Sequence, residues 1–294
     1  MRQTVIISDS TCDLSKELIE QRQIEIIPFK IDLLGKTYDD GVDIDSFSMY
    51  EQYDKYKALP KSAAASIDAF INCFKKHVEA GKDVIYCGIG SKLSSGFQNA
   101  ILAREELEDD LKEHVYLLDS ASLSTGIGLV LLKLSDFINQ GLSAKETVEK
   151  AKEIVPCVRA QFSVKELTFL HKGGRCSGTA RFFGTMLRIH PILRLFDGKI
   201  ILSEKIFGRY EKALDFQIDD IVRNINDVDD NYLFITHSLA DEEANYIYNN
   251  LPDTVKNKFR NIYITRAGCV ISTHCGKHTI GILYIKKTPL VDDK

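Results

Sequence analysis

The seven cysteines of this 294-residue chain include no Cys-x-x-Cys pair, and their number is odd. Most of them lie within apolar runs, so the sequence argues against a disulfide framework and favours reduced thiols in a core. No apolar run approaches the length of a bilayer-spanning helix, and the first residues lack the apolar region of a signal peptide. We therefore expect a cytoplasmic protein with peripheral or no membrane contact.

Neither sign of charge dominates, because 38 Lys and Arg residues stand against 42 Asp and Glu residues, giving a net charge of −4 at pH 7. Without a basic excess there is no electrostatic reason to expect nucleic acid or an anionic membrane as the main partner. The 44% of hydrophobic residues can bury a large core, and the length is near that at which one core divides into two domains.

The sequence also lacks the motifs that mark common nucleotide-binding proteins and hydrolases. Where a dinucleotide-binding protein has Gly-x-Gly-x-x-Gly after its first strand, this chain has Ser8-Asp9-Ser10-Thr11. Neither a Gly-x-x-x-x-Gly-Lys-Ser/Thr loop nor a Gly-x-Ser-x-Gly elbow occurs. These absences argue against a nicotinamide cofactor and against phosphoryl transfer by this chain alone.

The pattern of predicted strands and helices changes near Pro156. Residues 1–156 alternate apolar runs with helical patterns, which is typical of a mostly parallel sheet with helices on both faces. Strands are predicted there at 4–8, 25–32, 84–88 and 115–118. After Pro156, strands at 158–164, 199–202, 232–236, 261–265 and 279–286 mix with helices around 166–171, 179–190, 209–226 and 239–251. We predict an α/β chain of two domains, 1–156 and 157–294, the second an α+β domain with a mixed or antiparallel sheet.

Several polar residues stand where helices should begin. Ser66 is placed to cap a helix, and Ser143 with Glu146 forms a capping box. Asp9 and Asp13 are predicted to cap the first helix.

Three loops rich in serine each follow an apolar run, at residues 60–66, 90–96 and 119–126. Serine hydroxyls can donate and accept hydrogen bonds, and glycine lets a backbone approach a ligand closely. The loop at 91–96 also precedes a predicted helix, whose positive end favours an anion. These loops suit an oxygen-rich head group, although plain caps and turns would explain them too.

The sequence also contains residues that suggest a metal site, a catalytic serine or a phosphate-binding site. His274, Cys275 and His278 are metal-ligand types without a fourth partner at a recognisable spacing, so polar lining is the simpler interpretation. Ser94 with His274 would make a nucleophile and base, but neither Asp9 nor Asp119 is paired with that histidine by the sequence. A phosphate-binding or sugar-phosphate-binding protein is a third possibility.

The segment 167–177 ends a helical turn at Gly173-Gly174 and continues with Arg175. A helix C-cap explains the glycines. It does not explain the arginine, which is well placed to meet a phosphate or another protein.

Taken in order, these motifs resemble the DegV family, bacterial two-domain proteins that bind one fatty acid. The likeness covers residues 3–287 and is carried by segments 9–14, 35–41, 60–66, 91–94, 170–175 and 197–198. Ser62 stands where the family has threonine. The chain departs from the family pattern at residues 63–65, 95–96 and 277–278, and around Gly208, where an arginine is usual.

The resemblance implies that the hydroxyls of Ser62 and Ser94 bind the carboxylate of a long-chain fatty acid, with His274 close by. Ser91, Ser95 and Gly96 belong to the same predicted binding loop. The implied protein is a carrier without catalytic residues, metal or cofactor, which presents its fatty acid to a separate fatty acid kinase for acyl phosphate formation.

The same resemblance makes Arg175 our predicted docking residue for the kinase, with Gly173 and Gly174 beside it. The second domain is expected to supply most of the acyl-chain tunnel, although an ordinary core would explain the same residues. The predicted lining residues are Phe162, Phe182, Phe183, Met186, Leu187, Ile189, Ile192 and Leu193.

Overall fold

A computed structural model describes residues 2–165, 168–174 and 189–291 of the chain. Within these ranges the strands form a four-stranded, a six-stranded and a three-stranded sheet. In chain order the strands are β1 (Thr4–Asp9), β2 (Ile24–Ile27), β3 (Lys30–Leu33), β4 (Lys36–Asp39), β5 (Lys61–Ala63), β6 (Asp83–Gly88), β7 (Val115–Asp119), β8 (Val158–Ser163), β9 (Ile189–Phe196), β10 (Lys199–Phe207), β11 (Val228–Ser238), β12 (Asn261–Arg266) and β13 (Thr279–Lys286).

The helices connect these strands and cover the sheets. In chain order they are α1 (Lys16–Gln21), α2 (Ser46–Tyr56), α3 (Ile67–Glu79), α4 (Gly96–Glu105), α5 (Asp109–Lys112), α6 (Thr125–Asn139), α7 (Ala144–Ile154), α8 (Thr168–Gly173), α9 (Glu211–Asn224), α10 (Asp241–Asn250), α11 (Asp253–Lys256) and α12 (Cys269–Cys275). No helix of the described ranges combines the length and the apolarity needed to cross a bilayer.

The four-stranded sheet is parallel throughout, in the order β2-β1-β6-β7. Helices α3 and α4 pack together against β6, and α6 and α7 do the same. Every residue of β6 is buried, because both faces of the strand are covered. The predicted parallel sheet with helices on both faces is therefore confirmed.

The six-stranded sheet is mixed, in the order β10-β9-β8-β13-β11-β12, with one parallel pair between β11 and β12. Helix α6 packs on strands of this sheet as well as on β1 and β6, and twelve of its fifteen residues are buried. One apolar cluster therefore runs from one sheet into the other, and a second cluster lies between the six-stranded sheet and helices α9 and α10. The predicted mixed sheet is confirmed, whereas the domain boundary near residue 156 remains a prediction.

Two predicted elements were wrong. The apolar run 25–32 is not one strand, because Pro28 cannot donate to a strand ladder and β3 pairs in the small antiparallel sheet instead. The helix predicted for 179–190 is contradicted at its end, since residues 189–190 begin β9; its remainder, 179–188, lies outside the described residues. Strand β9 turns into β10 through Asp197 and Gly198, whose φ angles of +48° and +69° suit a tight hairpin turn.

The predicted caps are mostly confirmed. Ser66 caps α3, and Ser143 with Glu146 forms the capping box of α7. The prediction that Asp9 and Asp13 cap the first helix was wrong, because Ser15 caps α1 and Asp9 caps only the short turn that precedes it. Asp13 has a different and distant partner, described below.

Candidate functional site

Residues from both halves of the chain surround a cavity of about 280 Å³, which we call the serine cavity. It lies beyond the carboxyl ends of the parallel strands, where open α/β sheets place ligands. Its lining residues are Phe29, Ser62, Ala63, Ala64, Ile89, Leu93, Ser94, Ser95, Leu123, Ile200, Val270, Ile271 and His274. Three of the four serines that the sequence analysis singled out for this site, Ser62, Ser94 and Ser95, therefore line the same cavity as His274.

A smaller space of about 60 Å³, the apolar cavity, adjoins the serine cavity. The two share the lining residues Leu123, Ile200, Ile271 and His274. Beyond them the apolar cavity continues among residues of α8, α12 and the mixed sheet, including Phe162, Leu170, Thr236, Ser238, Thr279, Gly281 and Leu283. The serine cavity supplies the lining hydroxyl groups of Ser62, Ser94 and Ser95 to this combined space.

Several residues that line the apolar cavity carry hydroxyl groups, but these groups are hydrogen-bonded to other parts of the protein. The hydroxyl of Thr236 lies 2.5 Å from that of Thr125 and 3.0 Å from that of Thr265. Ser238 Oγ lies 2.9 Å from the hydroxyl of Tyr50, and Thr279 donates to a backbone carbonyl at 2.8 Å. Because these hydroxyls bind inside the protein, their carbon atoms remain to face the cavity.

Where the two cavities adjoin, Ser62 and His274 form a direct hydrogen bond. Ser62 lies on β5, opposite Ile31 of β3, and His274 lies in the last turn of α12. The distance between Ser62 Oγ and His274 Nε2 is 2.7 Å. When the proton is on Nε2, the histidine donates and the serine hydroxyl keeps its own hydrogen for another acceptor.

Gly173 explains how α8 approaches this pair. A Cβ atom at residue 173 would lie 2.5 Å from His274 Nδ1, so a side chain there would displace the imidazole. Gly174 has a φ of +65° and open space around its Cα. The roles of both glycines in partner docking remain predictions, and Arg175 lies outside the described residues.

Ser94 stands where the second loop meets α4. Its Oγ accepts a hydrogen bond from the amide of Gly96 at 3.2 Å, which leaves the hydroxyl hydrogen to be donated. Ser95 is exposed and also lines the serine cavity. The amino-terminal end of the ten-residue helix α4 thus borders the cavity and favours negative charge.

Two residues of this predicted loop do not line the serine cavity. Ser91 is exposed, and its amide donates to Asp119 at 3.1 Å, so it closes the loop. Gly96 is buried against Phe29, and a Cβ at residue 96 would lie 2.6 Å from the ring of that phenylalanine. Both residues therefore support the loop through contacts within the protein, Ser91 with Asp119 and Gly96 with Phe29.

The predicted tail residues divide into three groups. Phe162 lines the apolar cavity. Ile192 and Leu193 are buried on β9, but neither lines the two cavities, and neither does Ile189. The others, Phe182, Phe183, Met186 and Leu187, lie outside the described residues. The residues missed by sequence reasoning include Val270 and Ile271 of α12, a helix with no capping side chain in its own sequence to reveal it.

Three buried carboxyl groups lie behind these walls. Burial raises the pKa of Asp9 and of Asp40 above the ordinary value, against the hydrogen bonds that each accepts. Burial also raises the pKa of Asp13 to about 8, opposed by hydrogen bonds from Ser124 and Gly268 and reinforced by Asp40 and Asp9. Asp9 accepts from the amide of Ile89, a lining residue, at 3.0 Å.

The residues suggested as metal ligands have other partners. His274 binds Ser62, and His278 Nδ1 lies 3.0 Å from Glu243. In the part of the chain that the structure describes, the one cluster of three possible ligands is Glu25, Cys73 and His77, with ligand atoms within 4.8 Å of one another. It lines neither cavity, and the Lys76 ammonium already donates to Glu25 at 3.0 Å.

Comparison with known proteins extends over nearly the whole chain. The family model described as "Uncharacterised protein, DegV family" matches residues 3–287. A DegV domain-containing protein of Clostridium acetobutylicum is 30% identical over 287 residues, which cover 98% of this chain and 100% of that protein.

Solved structures give the same result. The crystal structure of DegV from Bacillus subtilis, described as a fatty acid binding protein, is 26% identical with a TM-score of 0.85, and the match covers 98% of this chain and 100% of that one. A stearic acid-binding protein from Eubacterium ventriosum is 25% identical with a TM-score of 0.86, covering 98% and 99% respectively.

Proposed function

This chain belongs to the DegV family, and from that premise we propose that it is a carrier of a long-chain fatty acid. Its Ser62 and Ser94 hydroxyls would bind the carboxylate, and the acyl chain would run from the serine cavity into the apolar cavity, whose volume of about 60 Å³ must widen to hold it. The carrier would then present the carboxylate to a separate kinase for acyl phosphate formation. The observation that carries this proposal is that the serine cavity and the apolar cavity share four lining residues, Leu123, Ile200, Ile271 and His274.

In such a carrier, most of the binding free energy comes from burying the acyl chain of the fatty acid. Burying an acyl chain contributes about 0.8 kcal/mol per CH₂, so sixteen carbons would supply on the order of ten kcal/mol before ordering costs. The satisfied hydroxyls of Thr236, Ser238 and Thr279 suit this role, because they leave no unpaired polar atom to oppose the chain.

The head group then needs only neutral donors. Ser62 can donate to a carboxylate while accepting from His274, and Ser94 can donate while accepting from Gly96. The positive end of α4 adds a weak attraction for negative charge. Neutral donors leave a carboxylate oxygen accessible to a phosphoryl group, whereas a buried ion pair would hold it more tightly.

We propose Arg175 as the residue that docks the kinase, with the cytoplasm as the place of action. Since Arg175 lies two residues after Gly173, which packs closely against His274, it would bring the kinase near the head group. Arg175→Ala should leave fatty acid affinity unchanged and slow acyl phosphate formation by the kinase. Equal loss of both would assign the arginine to the pocket or to folding instead.

Native mass spectrometry of the purified protein tests the proposed ligand. The expected result is a mass increase equal to one long-chain fatty acid, identified after extraction, which is reduced in the Ser62→Ala/Ser94→Ala variant. A bound phosphorylated compound would instead support a phosphate-binding protein. Protein that neither carries fatty acid nor takes it up when it is supplied would contradict the proposal.

The hydrogen bond between Ser62 and His274 favours a second candidate, an acyl-transferring or lipid-hydrolysing enzyme. A serine within 2.7 Å of a histidine nitrogen is the arrangement of a nucleophile and its base. The sequence had suggested Ser94 as nucleophile, but His274 is bonded to Ser62. Incubation with an activated acyl ester separates the candidates, because an acyl group on Ser62 belongs only to the enzyme.

A further inference from the structure

Helix α12 forms one wall of both cavities, and residues of the amino-terminal half hold it at each end. Val270, Ile271 and His274 line the serine cavity, and Ile271, His274 and Cys275 line the apolar cavity. At the carboxyl-terminal end, His274 binds Ser62 of β5. The position of this short helix therefore decides where several lining side chains stand.

The amino-terminal end of α12 is held by two aspartates from far away in sequence. Asp13 accepts from the amide of Gly268 at 2.8 Å. Asp40 accepts from the amide of Cys269 at 2.8 Å and from that of Val270 at 3.4 Å. Three consecutive amides at the start of the helix, where a local N-cap side chain usually accepts from one, are thus bound across the molecule.

The two aspartates pack closely against the backbone at the start of α12. A Cβ on Gly268 would lie 3.3 Å from Asp13 Oδ1 and from both carboxyl oxygens of Asp40. The second oxygen of Asp13 lies 2.5 Å from the hydroxyl of Ser124, itself a lining residue of the apolar cavity. Asp13 and Ser124 both have positive φ angles, 51° and 54°, a strained conformation that the surrounding contacts must maintain.

Burying two carboxyl groups is an unfavourable way to cap a helix, because a serine at the preceding position would satisfy an amide without that desolvation. The arrangement provides something that a local cap does not, since it fixes α12 relative to the amino-terminal half. A slip of one residue would rotate the helix by about 100° and move His274 away from Ser62.

We infer that Asp13 and Asp40 are positioning residues that set the rotation and register of α12, and thereby the Ser62–His274 pair and the apolar wall beside it. This inference rests on the proposed function only where fatty acid affinity is the readout. It assigns a role to two motifs, residues 9–14 and 35–41, that the binding site itself does not use.

Asp40→Asn is the principal test, because its amide NH₂ would replace one of two oxygens that accept from backbone amides. The ring signals of His274 in NMR spectra of histidine-labelled protein should shift, and fatty acid affinity should fall about tenfold. Asp229→Asn is the matched control, since it removes the 2.8 Å ion pair with Lys133, which also joins the two halves. It should lower the melting temperature without moving the His274 signals.

Asp13 provides a conservative pair of variants. Asp13→Asn keeps an oxygen for Gly268 and a hydrogen for Ser124, so affinity and His274 signals should stay at wild-type values. Asp13→Ala removes both contacts and should repeat the Asp40→Asn result, and it carries the test if Asp40→Asn does not fold.

Unshifted His274 signals in folded Asp40→Asn or Asp13→Ala protein would overturn the inference, leaving the aspartates as ordinary stabilisers. Wild-type protein that binds no fatty acid would contradict the proposed function instead, while the NMR comparison would still decide the role of the aspartates.

Discussion

Helices α4 and α12 meet at the serine cavity from opposite halves of the chain, and they begin in different ways. The first amide of α4 is satisfied within its own loop by Ser94, two residues away. The first amides of α12 are satisfied by Asp13 and Asp40, more than two hundred residues away. The wall that presents the predicted head-group donor Ser94 is thus locally determined, whereas the wall that carries His274 depends on the assembled fold.

The largest predicted effect is a difference in the free energy of unfolding between variants that remove a hydrogen-bond acceptor from α12 and from α4. Asp40→Asn should lower the free energy of unfolding by about 3 kcal/mol, because it leaves a buried amide facing another donor. Ser94→Ala should lower it by about 1 kcal/mol, the usual loss for one hydrogen bond, here that from the amide of Gly96. Urea denaturation of both variants measures the comparison, and equal losses would erase the distinction between a local and a remote cap.

The change of stability with pH should depend on Asp13, one of the two aspartates that accept hydrogen bonds at the start of α12. Since the folded pKa of Asp13 is raised to about 8, its contribution is greatest below the ordinary pKa of an aspartate and is lost as the pH rises through about 8. Asp13→Asn cannot ionise, so its melting temperature should fall less between about pH 4 and about pH 8.

The carboxyl groups of Asp9 and Asp40 also have raised pKa values, so the melting temperature of Asp13→Asn should still depend in part on pH. The thiols of Cys12 and Cys269 have pKa values raised by burial, which places their ionisation at higher pH. A variant with the full wild-type slope would show that Asp13 is ionised in the folded protein.

Fatty acid affinity should depend on Ser62, the residue that links β5 to α12. Ser62→Ala removes one donor to the carboxylate and the partner of His274, so affinity should fall about tenfold. Isothermal titration with palmitate measures the change. Ser66→Ala is a suitable control, because Ser66 caps α3 nearby and does not line the cavity.

The smallest predicted effect concerns the contact of α8 with α12. Gly173→Ala places a methyl group 2.5 Å from His274 Nδ1, so the imidazole must shift, and affinity should fall by a few-fold. Gly174→Ala is the matched variant, since its Cβ meets open space and the change strains only the backbone. Its affinity should match wild type, and equal effects of the two variants would remove the specific role of Gly173.

The two walls also explain how far the sequence could be interpreted. The loop before α4 follows a predicted strand and begins a predicted helix, so the rule for strand ends located Ser94 correctly beside the cavity. The segment 60–66 was noticed for its serines, but Ser62 itself was assigned only through the family resemblance, because β5 is three residues long and its partner β3 was merged with β2. Helix α12 was missed because its caps lie in other segments, and no local pattern records a contact across the fold.

A crystal structure with bound palmitate tests the central claim most directly. The account predicts the carboxylate within hydrogen-bonding distance of Ser62 Oγ and Ser94 Oγ, with the chain running past Ile271 into the apolar cavity. A carboxylate bound away from both serines, or a chain that leaves the apolar cavity unused, would contradict it.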